Sequence, residues 1–257
     1  MKYIYGLNIS GKSIIEYFIK NKILFIAWDD NQIIKNEISK KYKNITFIHP
    51  KDLDWSKITE AFVSPGIALN TKALNQSKKF NTLLCRDLEL YSQITDIKKI
   101  IAVTGTNGKS TTVKLIGEML KFSGFNIYLG GNFGPPLMNV YNKNINSNYD
   151  VIELSSYQLE AAPSFKSFIS ILLNISYDHQ DRYKDLLDYA KTKEKIFGCK
   201  NIKYGIISVD DFFCKEIYEK NKKINNLIPF SINKKIDRGV AIINDNIYDN
   251  YFERKTY

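Results

Sequence analysis

The stretch that most constrains this chain runs from Lys98 to Leu120, K-K-I-I-A-V-T-G-T-N-G-K-S-T-T-V-K-L-I-G-E-M-L. Ile100 to Val103 form an unbroken apolar run, as in a strand buried on both faces. Gly105-Thr106-Asn107-Gly108-Lys109-Ser110-Thr111 follows, and then a helical pattern of apolar residues at Val113, Leu115, Ile116, Met119 and Leu120. Strand, glycine turn and helix start together make an anion site. Glycines let backbone N–H groups face a phosphate, the helix N-terminus adds partial positive charge, and Lys109 adds a full one. The hydroxyl of Ser110 or Thr111 is placed for Mg²⁺. Val103 stands where the general G-x-x-x-x-G-K-[ST] pattern has a glycine. The plainer alternative is a strand–turn–helix whose Lys-Ser only begins a solvated helix; with strand and helix both in register, a nucleotide-binding loop is the expectation.

At 257 residues the chain has room for two domains of ordinary size. The net charge of +10 suits anionic partners, but the lysines are spread along the sequence, so nucleic acid is not implied and nucleotide-bearing small molecules fit as well. Cys85, Cys199 and Cys214 stand apart with no C-x-x-C spacing, which implies neither a disulfide framework nor a zinc site. No apolar run approaches the ~18 residues of a membrane helix, and Met1-Lys2-Tyr3 opens directly into a strand, so the cytoplasm is expected.

Residues 1–95 read as a first, Rossmann-like domain. A strand at Tyr3–Tyr5 leads through Gly6-Leu7-Asn8-Ile9-Ser10-Gly11 into a helix to Lys20, and a strand at Ile23–Trp28 ends in Asp29-Asp30. An acidic residue after the second strand is where a dinucleotide fold meets a ribose or base. Asn8 occupies the second glycine position of that fingerprint, so on these residues alone an ordinary βα turn is the better reading. Further strands are expected at Ile45–Ile48, Ala61–Val63 and Thr82–Leu84, with helices through Lys79 and around Asp87–Tyr91.

Residues 96–257 read as a second, P-loop NTPase-like α/β domain. After the loop come a strand at Asn126–Leu129 ending in Gly130-Gly131-Asn132-Phe133-Gly134, and a buried strand at Tyr149–Ile152 ending in Glu153. A carboxylate at a strand end beside a phosphate loop is where a Mg²⁺-holding acid belongs; the alternative is a Glu capping the next helix. His179, one of two histidines, follows the apolar run Phe168–Leu173 on the same edge. The helix Leu186–Phe197 carries Lys191, Lys193 and Lys195, in themselves a solvated charged face. Strands at Tyr204–Val209 and Leu227–Phe230, a helix at Asp210–Lys220 and a hairpin of Gly239–Ile243 with Ile247–Phe252 complete the pattern.

With these pieces in place the sequence resembles the Mur ligases, and among them the D-glutamate-adding branch. GTNGKST at 105–111 is common to the superfamily, folylpolyglutamate synthases included; SPGIAL at 64–69, GGNFG at 130–134, ELSSYQLE at 153–160 and DHQDRY at 178–183 are more selective. The resemblance implies an ATP-dependent amide ligase of peptidoglycan precursor synthesis, with UDP-N-acetylmuramoyl-L-alanine, ATP and D-glutamate as partners and an acyl phosphate between them. It implies Gly105–Thr111 around ATP, with Lys109 on the β- and γ-phosphates and Ser110 and Thr111 at a first Mg²⁺. Glu153 belongs at that metal, His179 at a second, and Asn132 near the reacting carboxylate. A lysine carbamylated in the family maps to Lys193, with Lys191 as the alternative because the segment between Tyr183 and Tyr189 is one residue short. Ser10, Asp29 and Asp30 fall where the uridine diphosphate is held, although Asn8 departs from the glycine pattern there. Family members also carry a third domain with the D-glutamate site, not expected within these residues. A monomer is expected. The rivals are another ligase of the superfamily and a non-catalytic ATP- and UDP-sugar-binding piece.

Overall fold

The computed structural model describes residues 1–178, 182–198, 203–223 and 226–252. In chain order the elements begin β1 (Lys2–Tyr5), α1 (Ile9–Lys20), β2 (Phe25–Trp28), α2 (Gln32–Lys41), β3 (Glu60–Val63), β4 (Leu83–Cys85), α3 (Asp87–Ile94), β5 (Ile100–Thr104), α4 (Lys109–Phe122), β6 (Ile127–Gly131) and α5 (Asn139–Asn142). They continue β7 (Tyr149–Glu153), α6 (Ser156–Leu159), β8 (Ile169–Leu172), α7 (Leu186–Glu194), β9 (Tyr204–Ser208), α8 (Phe212–Asn221), β10 (Leu227–Ser231), β11 (Val240–Ile243) and β12 (Asn246–Asp249). Two compact units result. One holds Met1–Ile94 with Gly134–Asn146 and Ala161–Ser164; the other holds Thr95–Phe133, Ser147–Glu160 and the described residues from Phe165 onward.

The first unit is built on a parallel sheet of order β2-β1-β3-β4. Strand alternation sorts its side chains. Tyr3 and Tyr5 join Trp55, Ile58 and Leu74 on one face, with Tyr3 edge-on to Trp55 at 5.6 Å. The opposite face takes α1, whose Phe18 meets Phe62 at 5.6 Å. The strand expected at Ile45–Ile48 is reduced to one parallel bridge between Ala27 and Phe47. His49-Pro50 follows at once, and proline has no N–H to extend a ladder. The helix expected up to Lys79 is a run of 3₁₀ turns, Lys72–Phe80. Within it the Ser77 hydroxyl donates to the Leu74 carbonyl at 2.6 Å, competing with a backbone donor.

The second unit has the order β12-β11-β10-β9-β8-β5-β7-β6, parallel except for the β11–β12 hairpin. That hairpin turns on Asn244 and Asp245, both at positive φ (48° and 61°), as a two-residue turn matching strand twist requires. Every residue of β5 is buried. Val103, Val151 and Ile171 form one apolar cluster with Val113 of α4, which docks that helix on the sheet.

In each sheet the chain reverses its direction of travel at one place. From β1 the next strand lies on one side, and from β3 on the other; β5 and β8 stand in the same relation. Such switch points open a crevice beyond the carboxyl ends of the strands, where α/β folds bind ligands.

Candidate active site

The loop after β5 lies at the switch point of the second sheet. Gly108 caps α4 at φ +80° with no side-chain acceptor on the helix's first N–H groups. Those donors and the positive end of the helix dipole are left for an anion. The segment that follows β8 clamps the loop: the Thr106 N–H donates to the Asn174 carbonyl at 2.9 Å, the Asn107 N–H to Asn174 Oδ1 at 2.8 Å, and the Ser176 N–H to Thr106 Oγ1 at 3.0 Å. Lys109 Nζ donates to the Thr106 carbonyl at 2.8 Å, an acceptor that a phosphate oxygen can replace.

Glu153 closes β7 and is 2% exposed. Its Oε2 accepts from Ser110 Oγ at 2.5 Å and its Oε1 from Asn132 Nδ2 at 2.8 Å. The Asn132 N–H also donates to the Glu153 carbonyl at 2.9 Å, so β6 and β7 hold the pair together through main chain and side chain alike. Glu153 does not cap the following helix. Ser155 does, in a reciprocal box with Gln158, a pattern written in S-S-Y-Q. Of the two hydroxyls expected at Mg²⁺, Ser110 faces Glu153, while Thr111 is exposed on the first turn of α4.

Lys193 is almost wholly buried; its ammonium donates to the Gly105 carbonyl at 2.9 Å and stands 4.6 Å from the centre of the Tyr189 ring. Burial first, and the charge of Lys109 second, pull its amine down to about 7. Lys191 is exposed. Two residues on a helix are about 200° apart, so only one of these lysines can face the loop. Asp185 fixes the start of α7 by accepting from the Asp188 N–H at 2.8 Å, and the Tyr189 hydroxyl lies 3.4 Å from Thr106 Oγ1. Asn174 and Tyr189 are contributors that the sequence did not single out; a lone asparagine at a strand end and a tyrosine in a charged helix give no spacing signal.

Ser110 Oγ and Glu153 Oε2 are hard oxygen donors on one point, which suits Mg²⁺, an ion that takes one or two protein ligands and completes its shell with water and phosphate. Among the described residues no three His, Cys, Asp or Glu side chains gather as a metal cluster. His179, expected at a second metal, lies outside the described residues.

In the first unit the three residues expected at the uridine diphosphate lie at the carboxyl ends of β1 and β2. Asp29 takes the Leu7 N–H on Oδ2 at 2.6 Å and the Asn31 N–H on Oδ1 at 2.8 Å, which braces the β1–α1 turn against the start of α2. Asp30 accepts from the Tyr5 hydroxyl at 2.6 Å and Trp28 Nε1 at 2.9 Å. Burial works to raise its carboxyl, but these bonds outweigh it and hold it below the usual carboxylate range. Ser10 Oγ donates to Asp87 Oδ2 at 3.0 Å. All three are thus engaged by protein groups, and the carboxylates act as braces for the turn they border. Among the described residues no helix is long and apolar enough to cross a membrane.

The Mur ligase middle domain model matches residues 103–256. Over 257 residues the chain is 35% identical to the UDP-N-acetylmuramoylalanine--D-glutamate ligase of Rickettsia bellii, covering 99% of this chain and 56% of that protein. The enzyme of the same name from Rickettsia prowazekii is 36% identical over 251 residues, 96% of this chain and 55% of its own. The chain therefore spans about half the length of these relatives. Its fold is similar to a crystal structure of UDP-N-acetylmuramate:L-alanyl-gamma-D-glutamyl-meso-diaminopimelate ligase from Neisseria meningitides, with TM-score 0.58 at 13% identity, over 97% of this chain and 84% of that one. A UDP-N-acetylmuramate-alanine ligase from Thermotoga maritima gives 0.52 at 15%, over 99% and 59%. A P-loop at the switch point, a strand-end glutamate on its serine, and relatives aligned along nearly the whole sequence lead to one assignment: this chain belongs to the Mur ligase family.

Proposed function

We propose that the protein acts as the D-glutamate-adding ligase, joining UDP-N-acetylmuramoyl-L-alanine to D-glutamate with ATP, through an acyl phosphate on the alanyl carboxylate. The observation that carries this reading is the convergence of Lys109, Ser110, Asn132, Glu153 and Lys193 on one loop. The name shared by the relatives supports D-glutamate as the acceptor.

Phosphoryl transfer to a carboxylate is mainly positioning and charge neutralisation, so these groups are what the step needs in place of a nucleophilic side chain. Lys109 leaves the Thr106 carbonyl for the phosphate oxygens, and the first N–H groups of α4 take the rest. Ser110 and Glu153 would hold Mg²⁺, which supplies charge neutralisation on the transferring phosphoryl group. Asn132, tied to Glu153 by two bonds, keeps its side chain beside the point where the acyl carboxylate must arrive. With its amine pulled down to about 7, Lys193 has a neutral fraction near pH 7 that can take up carbon dioxide as a carbamate. The neutral nitrogen attacks the carbon of carbon dioxide: the N–C bond forms as one C–O π bond opens onto oxygen and one proton leaves the nitrogen, so that a neutral amine becomes an anion in a cationic corner. D-glutamate's amine then displaces phosphate from the acyl phosphate through a tetrahedral intermediate.

The first half-reaction is the test. With UDP-N-acetylmuramoyl-L-alanine, Mg-ATP and hydroxylamine in place of D-glutamate, an acyl phosphate is trapped as the alanyl hydroxamate, which mass spectrometry detects. Hydroxamate that depends on both ATP and the UDP sugar supports the reading. Tight binding of both substrates with no trapped product refutes phosphoryl transfer by this site.

A further inference from the structure

Arg86, at the junction of β4 and α3, is fully buried. Its Nη1 donates to three carbonyl oxygens, Val63 at 3.0 Å, Ser64 at 2.6 Å and Ile67 at 3.0 Å. They belong to the last residue of β3 and the turn that follows it. A guanidinium keeps its charge at any ordinary pH, and burying it is tolerable only when acceptors close around it. The turn's carbonyls are thus drawn inward onto a fixed cation.

The outer side of the same turn packs on the β1–α1 turn. A methyl group on Gly6, whose φ is +90°, would stand 2.5 Å from Ser64 Cβ and 2.9 Å from Ile67 Cδ1. Gly66 at the tip faces open space. Next to Arg86, Asp87 reaches the other way and accepts from Ser10 Oγ at the start of α1. One dipeptide therefore ties together the loops after β3 and β1, the two strands that flank the switch point of the first sheet.

We infer that Arg86 is a positioning residue for the anionic part of the substrate: it holds the β3 turn against the start of α1 and so sets the shape of the crevice between them. The inference rests on the reading that this crevice takes the diphosphate of a UDP sugar, and adds to it the group that shapes the site. Arg86 acts through the carbonyls of residues 63, 64 and 67, whose positions fix the path of the turn. Lysine at this position keeps the charge, but its shorter side chain sets the ammonium short of the point that Nη1 occupies among the three carbonyls.

Calorimetric titration with UDP, run well below the melting temperature of each protein, tests this, with Mg-ADP as the control ligand of the second unit. Arg86→Lys is expected to weaken UDP about tenfold or more while leaving Mg-ADP affinity unchanged. A folded Arg86→Lys protein that binds UDP as the parent does overturns the inference, since a purely structural role would lower only the melting temperature. A parent that does not bind UDP overturns the reading of the crevice itself, and the inference with it. If the variant does not fold, the parent alone decides: in ¹⁵N-labelled protein the Arg86 guanidinium and the amides of Ser64, Gly66 and Ile67 should shift with UDP and stay still with Mg-ADP. Saturation by UDP with those resonances unmoved contradicts the inference.

Discussion

Replacing Gly131 with alanine would put a methyl group into the strand pair that carries Glu153. Gly131 ends β6 at φ +110°, and a Cβ built there would lie 2.2 Å from the Glu153 carbonyl oxygen and 3.1 Å from its nitrogen. Ordinary contact begins roughly 1 Å further out, so β6 and β7 must part by about that distance. The positive φ costs an L-residue about 1–2 kcal/mol, and forced overpacking adds about 1–3 kcal/mol. The sum, about 2–5 kcal/mol, corresponds to a fall in melting temperature of roughly 4–20 °C for a domain of this size. The bond from the Asn132 N–H to the Glu153 carbonyl is in the path of the methyl group, so the carboxylate facing Ser110 moves as well. Differential scanning calorimetry and Mg-ADP titration at a temperature where the variant is folded should therefore both change, with affinity down at least about tenfold because ångström shifts at such sites are costly. A melting temperature within about 1 °C of the parent, with unchanged affinity, would refute the argument, because tolerance of that size is incompatible with an alanine in this place.

Lys109→Ala should remove tight Mg-ATP binding and leave the fold intact, since Lys109 sits at the open start of α4; equal affinity by calorimetry would sink the phosphate-loop assignment. Lys193, whose amine falls to about 7 when folded from an ordinary 10.5, binds its proton more tightly in the unfolded chain. Stability in metal-free, bicarbonate-free buffer should therefore rise with pH between about 7 and 10.5 and stay flat below, and Lys193→Met should abolish that slope. Denaturant titrations across that range check it; the same slope in Lys193→Met would place the titrating group elsewhere. Lys193→Ala should also lose hydroxamate formation and regain part of it with added short carboxylic acids, whereas Lys191→Ala should behave as the parent.

Much of the second unit was legible because its signals are local. An apolar run with a glycine loop and an apolar-periodic helix specifies strand, turn and helix without help from distant residues, and Asn244-Asp245 specifies its own hairpin. The choice between Lys193 and Lys191 was not local. Segment length left both open, and burial against Gly105 and Tyr189 separates them only in the folded chain. Glu153 could have been a helix cap, and the Ser155–Gln158 box, readable in the sequence, removes that alternative. In the first unit the aspartates after β2 had the expected position, but their bonds to Leu7, Asn31, Tyr5 and Trp28 are tertiary and carry no sequence spacing. Arg86 was invisible for the same reason. A single arginine before D-L-E-L gives no hint that it will be enclosed by three carbonyls from another strand end.

Lys109, Ser110 and Glu153 should act as one magnesium–nucleotide site. Titrating ADP into the protein with and without Mg²⁺, for the parent and for Glu153→Gln, tests it most directly. Glutamine keeps the shape, accepting from Asn132 on its oxygen and donating to Ser110 Oγ from its amide, but it removes the negative charge that a divalent cation needs. ADP binding should be strongly Mg²⁺-dependent in the parent, with most of that dependence lost in Glu153→Gln and no change in melting profile beyond a few degrees. ADP binding that is indifferent to Mg²⁺ in the parent, or an equal Mg²⁺ dependence in the two proteins, would contradict it.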